Sequence, residues 1–204
     1  METPDPSASI RGRLNMHGGN RLHVGLFGAN CSSGRSATTV RERWSASWPD
    51  CLRLGRMADE FGIDFMLPIA RWKGYGGDTD FHGSSLESMT WAAGLLASTR
   101  NITVFGTVHA PLFNPLIAAK EFVTADHIGE GRLGVNLVVG WNEGEFEMFG
   151  ARRREHDERY AFAQEWIDVV KRGWSDEREA RLVGRARLRF RRPLPAAQGC
   201  ARLS

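Results

Sequence analysis

Several residue types and patterns are scarce in this 204-residue chain, and each scarcity excludes a class of protein. The three cysteines, Cys31, Cys51 and Cys200, are odd in number and lack Cys-x-x-Cys spacing. They predict reduced thiols and no metal site, rather than a disulfide framework or a zinc site. No apolar run approaches the roughly 20 residues that cross a membrane. The start of the chain has no apolar signal segment, so we expect a cytoplasmic protein with no membrane partner.

Lysine is scarce as well, because only 3 of the 27 basic residues are lysines. The net charge of +3 is unevenly distributed: residues 176–204 contain eight arginines and three acids. Residues 1–175 therefore carry 19 basic and 21 acidic side chains, a net charge of −2. This balance argues against nucleic acid as a partner of the main body.

Apolar runs of strand length alternate with amphipathic helical patterns between residues 21 and 175. The predicted strands are 22–27, 64–69, 102–107 and 132–139, and the predicted helices run from Pro49 to Glu60, 86–96, 116–127 and 160–174. Four serial units predict an α/β fold with a parallel sheet and outer helices. No Gly-x-Gly-x-x-Gly turn or Gly-x-x-x-x-Gly-Lys loop follows a strand, which argues against a dinucleotide site and a phosphate loop. The architecture favoured is a TIM barrel of the (β/α)8 type, truncated to about its first four β/α units.

The composition divides the chain into three parts. Residues 1–20 predict a disordered leader, 21–175 the partial barrel, and 176–204 an Arg-rich irregular tail with no clear strand. Two interpretations of the tail stay open. It is either a basic linker or a stretch read out of frame, since GC-rich codons read out of frame give Arg, Ala, Gly and Pro.

A polar amide interrupts the strongest strand pattern, Arg-Leu-Gly-Val-Asn-Leu-Val-Val-Gly-Trp at 132–141. A strand buried on both faces is normally apolar throughout. An unpaired buried amide costs about 1–3 kcal/mol, so Asn136 needs partners. Either the fold or a polar ligand supplies them.

Five segments between Phe61 and Trp174 carry a resemblance to a known family. They are Phe-Gly-Ile-Asp-Phe at 61–65, Lys-Gly-Tyr-Gly-Gly-Asp-Thr-Asp-Phe at 73–81, Leu-Glu-Ser-Met-Thr at 86–90, the stretch 131–141, and His-Asp-Glu-Arg-Tyr at 156–160. With them the chain resembles the bacterial luciferase-like flavin-dependent monooxygenases. The most similar branches are the pyrimidine oxygenases, alkanesulfonate monooxygenases and dimethylsulfone monooxygenases. The resemblance covers residues 21 to about 175, the N-terminal half of a family barrel.

The resemblance implies an FMNH2-dependent monooxygenase that uses O2 on a small organosulfur or pyrimidine-type substrate. Reduced FMN would lie at the C-terminal mouth of the barrel, and a separate NAD(P)H-dependent flavin reductase would supply it. A homo-oligomer is compatible with this interpretation. Two alternatives stay open: a deazaflavin-dependent reductase on the same barrel, and an inactive barrel fragment. Because half of the barrel pattern is missing, we expect weak flavin binding and oxygen consumption that yields hydrogen peroxide.

The resemblance also assigns flavin contacts. Ala70 and Arg71 would face the ring system, Asn136 the ring edge, Glu145 the ribityl chain, and Arg159 with Tyr160 the phosphate. The phosphate assignment has physical support, because a helix N-terminus and an arginine both favour phosphate. His109 is a candidate for the substrate pocket.

Simpler interpretations of these residues stay open. Arg71 could lie on the surface, Glu145 could be a solvated acid, and a neighbouring loop could satisfy Asn136. Trp72 and Tyr75 either form an aromatic wall over the substrate or pin their loop to the body.

Overall fold

A computed structural model describes residues 22–174 continuously, together with Met16 and two residue pairs, 180–181 and 187–188. The predicted leader, apart from Met16, and most of the predicted tail lie outside the described residues.

Four parallel strands form one sheet in the order of the chain. They are β1 (Gly25–Phe27), β2 (Phe65–Leu67), β3 (Thr103–His109) and β4 (Leu133–Val138). Each strand pairs in parallel with the next. The four strands overlap the predicted ones, and the predicted parallel α/β architecture is confirmed. Because parallel strands end at the same edge of a sheet, the residues that follow them share one mouth.

Five helices accompany the sheet among residues 22–174: α1 (Trp48–Glu60), α2 (Ser88–Leu96), α3 (Pro115–Ile128), α4 (Glu143–Met148) and α5 (His156–Trp174). The starts of α1 and α3 follow ordinary capping chemistry. Ser47 and Asn114 accept backbone N–H groups of the first turn, and a proline occupies the first turn of each helix. Glu87 caps α2 by accepting from the N–H groups of Met89 and Thr90.

Three features differ from the sequence-based expectation. The segment after Trp141 is not a simple loop, because it contains α4. Strand β4 is half-buried along its length instead of fully buried, since no strand among the described residues pairs with its outer edge. Two short strands, β5 (Ala180–Arg181) and β6 (Arg187–Leu188), pair antiparallel where no strand was predicted.

The core lies between the sheet and helices α2, α3 and α5. Its buried members include Met66, Val104, Leu95, Phe122 and Trp166. Helix α2 packs so closely on β3 that a Cβ at Gly106 would lie 1.9 Å from Met89 Sδ. This contact fixes α2 against the strand whose end reaches the mouth. Among the described residues, no helix has the length and apolar character that crossing a membrane requires.

Candidate active site

A cavity of about 180 Å³ opens at the mouth, beside the ends of β2 and β3. It is lined by Ala70, Arg71, Trp72, Ser85, Leu86, Glu87, Ser88, Thr107 and Phe113. The lining therefore combines a guanidinium and several hydroxyl groups with apolar and aromatic side chains. This mixture is typical of a small-molecule site.

A buried ion pair joins two distant parts of the chain at this cavity. Arg71 Nη1 lies 3.1 Å from Glu145 Oε1, and the two side chains are only 7% and 3% exposed. The same oxygen accepts hydrogen bonds from the backbone N–H groups of Trp72, at 3.0 Å, and Lys73, at 3.5 Å. Arg71 is therefore not a surface residue, and the interpretation of Glu145 as a solvated acid is wrong.

Two aromatic rings and a hydroxyl group enclose the rest of the Arg71 guanidinium. Its central carbon lies 4.9 Å from the ring centre of Tyr75 and 5.6 Å from that of Trp141. Arg71 Nη2 also donates to the Tyr75 hydroxyl at 3.2 Å. The buried Nε of Arg71 has no hydrogen-bond partner within the described part of the chain. The guanidinium is thus held on several sides, while only two of its five N–H groups donate hydrogen bonds in this part of the chain.

His109, at the end of β3, lies on the far side of the Glu145 carboxylate. Its Nε2 is 3.8 Å from Glu145 Oε2, and its side chain is 6% exposed. Burial lowers the pKa of His109, an effect that the nearby Glu145 opposes and Arg71 reinforces. His109 does not line the cavity described above. It lies beside the Arg71–Glu145 ion pair instead.

Asn136 finds one partner in the fold. Its Nδ2 donates to Thr107 Oγ1 at 3.2 Å, across the register pair of β3 and β4. Thr107 Oγ1 in turn donates to the Pro68 carbonyl at 2.7 Å, and the Thr107 N–H donates to Ser88 Oγ at 2.6 Å. Thr107 lines the cavity, so this chain of hydrogen bonds connects Asn136 to its wall.

Arg159 lies in the first turn of α5 and reaches back to the end of β4. Its Nη1 donates to the Gly140 carbonyl, and its Nη2 lies 3.4 Å from His156 Nδ1. Its buried Nε has no hydrogen-bond partner among residues 22–174. Tyr160 is 57% exposed, and its ring centre is 5.0 Å from that of His156. The two residues thus lie at the same mouth, on the side of β4.

The loop that follows β2 packs against the body through its aromatic residues. Trp72 lies 6.1 Å from Phe113 and 5.0 Å from Phe149 between ring centres. Tyr75 stacks on Phe81 at 5.5 Å and is 53% exposed. Trp72 thus anchors the loop to the body through its ring contacts. Tyr75 contacts Arg71 and stays about half exposed to solvent.

Cys31 is a thiol whose pKa is affected by Arg71 and Glu145. It is completely buried, and burial raises its pKa to about 12, with Glu145 adding to the rise and Arg71 opposing it. A thiol with this pKa stays protonated at neutral pH and is a poor nucleophile. Cys31 therefore acts as a packing residue here.

Sequence reasoning did not assign Thr107 or Trp141 to the site. The sequence did contain a signal for Thr107. It is the last residue of the predicted strand 102–107, and a hydroxyl group buried there needs a hydrogen-bond partner, as the amide of Asn136 does. Trp141 directly follows Gly140, at the end of the motif that carries Asn136. The contact of its ring with Arg71 depends on the registers of β2 with β3 and of β3 with β4, which the sequence alone does not show.

Comparison with characterised proteins adds independent information. The model of the luciferase-like monooxygenase family matches residues 22–199, which includes part of the Arg-rich stretch. Pyrimidine monooxygenase RutA of Caulobacter vibrioides is 34% identical over 152 residues, 74% of this chain and 43% of the relative. RutA of Pseudomonas savastanoi pv. phaseolicola is 38% identical over 156 residues, 76% of this chain and 43% of the relative. The chain thus spans less than half the length of these relatives.

Solved structures share the fold. Riboflavin lyase RcaE, crystallised with modified FMN and riboflavin, is 26% identical, with a TM-score of 0.65 over 76% of this chain and 38% of that one. EDTA monooxygenase EmoA from Chelativorans sp. BNC1 is 20% identical, with a TM-score of 0.69 over 76% and 37%. An F420-dependent secondary alcohol dehydrogenase is 19% identical, with a TM-score of 0.65 over 85% and 48%. The last two likenesses show the fold alone. From the family match and these relatives, the chain belongs to the luciferase-like monooxygenase family.

Proposed function

We propose that this chain forms a flavin-facing wall of an FMNH2-dependent monooxygenase and acts on a small pyrimidine-type substrate. The observation that carries the proposal is the buried Arg71 guanidinium. It borders the cavity at the strand ends, and within the described residues only two of its five N–H groups donate hydrogen bonds, to Glu145 and Tyr75. A donor left unpaired in a buried site costs about 1–3 kcal/mol, so a ligand that offers oxygen acceptors to the remaining N–H groups would be stabilised in this cavity.

The groups at the mouth fit a phosphorylated flavin. Two arginines, Arg71 and Arg159, each have a buried Nε without a partner among the described residues. Arg71 follows β2, whereas Arg159 reaches Gly140 after β4, two strands away in the sheet. Two cationic groups at separate places along the mouth suit a ligand with polar groups on a ring and a separate anionic end. Arginine and a helix N-terminus are both favourable partners of phosphate.

Each residue has a defined part in this proposal. Ala70 and Arg71 would bind the ring system, Asn136 its edge, and Arg159 with Tyr160 the phosphate. Reduced FMN, when bound, supplies the electrons that activate O2, so the protein need only bind, orient and exclude water. Trp72 and Phe113 exclude water from one side of the cavity by packing on each other. Glu145, which the resemblance assigns to the ribityl chain, contacts Arg71 and the backbone of Trp72 in this structure.

The curated relatives favour a pyrimidine over an organosulfur substrate, because both RutA proteins are named pyrimidine monooxygenases. A cyclic amide offers C=O and N–H groups, which match a guanidinium donor and an amide such as Asn136. Alkanesulfonates and dimethylsulfone offer acceptors alone. As part of the same proposal, a separate NAD(P)H-dependent flavin reductase supplies FMNH2 in the cytoplasm.

The decisive experiment measures binding and product together. FMN and coenzyme F420 are titrated into the purified chain, and reduced FMN is then mixed with O2 and uracil, methanesulfonate or dimethylsulfone. We expect FMN to bind in preference to F420. We expect part of the O2 consumed to appear as hydrogen peroxide, since the described residues leave β4 half-exposed. Preference for F420, or absence of FMN binding at millimolar concentration, would overturn the proposal.

A further inference from the structure

The surroundings of Glu145 suggest that this residue acts through other residues. Its side chain is 3% exposed, and its Oε1 already accepts from Arg71 and from two backbone N–H groups. Its Oε2 makes only the 3.8 Å contact with His109. The oxygen that holds the neighbouring residues is therefore occupied by protein donors. An influence of Glu145 on a flavin would be exerted through the groups that this oxygen holds.

The groups that Glu145 holds all belong to the segment after β2. Arg71, Trp72 and Lys73 are consecutive, and all three donate to one carboxylate oxygen. Glu145 itself lies in α4, 74 residues further along the chain. The carboxylate thus ties the start of the loop after β2 to the segment after β4. This side chain helps to fix two sides of the mouth relative to each other, together with the contact between Trp72 and Phe149.

A contribution to the free energy of folding does not by itself explain why a buried ion pair lies here. A buried ion pair is often no more stabilising than well-packed apolar residues of similar volume, because both charges must leave water. Its distinctive property is geometric, since a carboxylate fixes the plane of a guanidinium. Here the plane matters, because Tyr75 and Trp141 both contact the guanidinium. Rotation of Arg71 would break these contacts and change the surface that it presents to the cavity.

We propose that Glu145 is a positioning residue, which fixes the Arg71 guanidinium between Tyr75 and Trp141 and thereby holds this cavity-lining arginine in one orientation for the ligand. The part of this inference that concerns flavin rests on the proposed function. The part that concerns Arg71 does not, because the contacts exist without any ligand. A guanidinium fixed in advance binds more tightly, since less conformational freedom is lost on binding.

The first test needs no flavin. Arginine Nε–H signals of the 15N-labelled chain are recorded by NMR, and the Arg71 signal is identified by its disappearance in Arg71→Lys. In Glu145→Gln the amide oxygen can still accept from Trp72 N–H, but the charge that holds Arg71 is lost. We expect exchange of the Arg71 Nε proton with solvent to accelerate about tenfold or more, while exchange of the Trp72 amide changes little. Glu147→Gln, an exposed position of the same helix, is the matched control.

This pattern separates positioning from general loss of structure. Unfolding or loosening of the mouth would accelerate both exchange rates, whereas positioning accelerates the Arg71 rate alone. An unchanged Arg71 rate in Glu145→Gln, or equal acceleration at Arg71 and Trp72, would overturn the inference. Neither outcome depends on whether the chain binds FMN.

The second test is a double-mutant cycle for FMN affinity with Arg71→Ala and Glu145→Gln. If Glu145 acts through Arg71, Glu145→Gln weakens FMN binding in the parent chain and has no further effect when Arg71 is already absent. Additive effects would mean a direct contact between Glu145 and flavin, and would refute positioning. If the parent chain binds no FMN, the proposed function fails while the NMR result still decides the role of Glu145.

Discussion

Replacement of Arg132 by leucine should destabilise the fold more than most single substitutions. The Arg132 side chain is buried just before β4. Its guanidinium donates hydrogen bonds at the C-terminal end of α2. Nη1 donates to Thr99 Oγ1 at 3.0 Å and to the Ile102 carbonyl at 3.1 Å. Nη2 donates to the Leu96 carbonyl at 2.7 Å and to the Thr99 carbonyl at 3.0 Å. Leucine would leave three buried carbonyl groups without these donors.

The expected magnitude follows from those three carbonyls. Each buried acceptor left unsatisfied costs about 1–3 kcal/mol, and the costs are not fully additive when water enters. We therefore expect a loss of about 3–5 kcal/mol in the free energy of unfolding, measured by urea denaturation. For a domain of this size, the corresponding fall in Tm is about 10 °C. A positive charge beside the last carbonyls of a helix is also lost, which adds to the effect.

Arg100→Leu is the matched control, because Arg100 is exposed and lies near the same end of α2. An exposed substitution of this kind changes stability by about 0.5 kcal/mol or less. If Arg132→Leu lowers the free energy of unfolding by less than about 1 kcal/mol, the carbonyls have found other partners. The claim that Arg132 holds α2 to β4 would then be refuted.

Three further predictions concern the mouth. Arg159→Ala should weaken FMN binding about tenfold or more in a fluorescence titration, because a charge-assisted phosphate contact is lost. Arg152→Ala, at an exposed position, should not weaken it. Equal losses in the two variants would contradict the phosphate role of Arg159. Because burial lowers the pKa of His109 from 6.5, the unfolded chain takes up this proton first as pH falls. Urea stability should therefore drop below about pH 6.5, and His109→Gln should flatten that slope; an unchanged slope would contradict the burial argument. Gly140→Ala should cost about 1–3 kcal/mol, because φ is +72° and a Cβ would meet a ring of α4 at 2.8 Å. Gly76→Ala, with φ +69° and open space, should cost less, and equal costs would show that the ring contact does not matter.

The sheet was predictable because its strands carry strong local signals. β3, Thr103–His109, is almost wholly buried, and β4 carries the apolar residues Leu133, Val135, Leu137 and Val138. Pro49 and Pro115 mark helix starts that the structure confirms. These features depend on residues close together in the chain, which is where sequence patterns are informative.

Sequence reasoning named two of the residues that line the cavity as flavin contacts, Ala70 and Arg71, but it named neither Thr107 nor the contacts between the residues of the mouth. The ion pair of Arg71 with Glu145 spans 74 residues and has no spacing rule. Helix α4 was missed because its six residues, Glu-Gly-Glu-Phe-Glu-Met, are too short to show a helical period and contain a glycine. Without α4, the burial of Glu145 could not be foreseen. The flavin contacts named for Ala70, Asn136, Arg159 and Tyr160 stay predictions.

The order of the strands in the sheet has a consequence for how the chain is made. Each strand pairs with the one synthesised before it, at separations of 40 residues for Gly25 and Phe65, 38 for Phe65 and Thr103, and 29 for Val104 and Leu133. At about 5–20 residues per second, ribosomes present a new partner every few seconds, far longer than local docking requires. The nascent chain can therefore add one β/α unit at a time to an existing template, and the ion pair at the mouth closes only when the segment after β4 emerges.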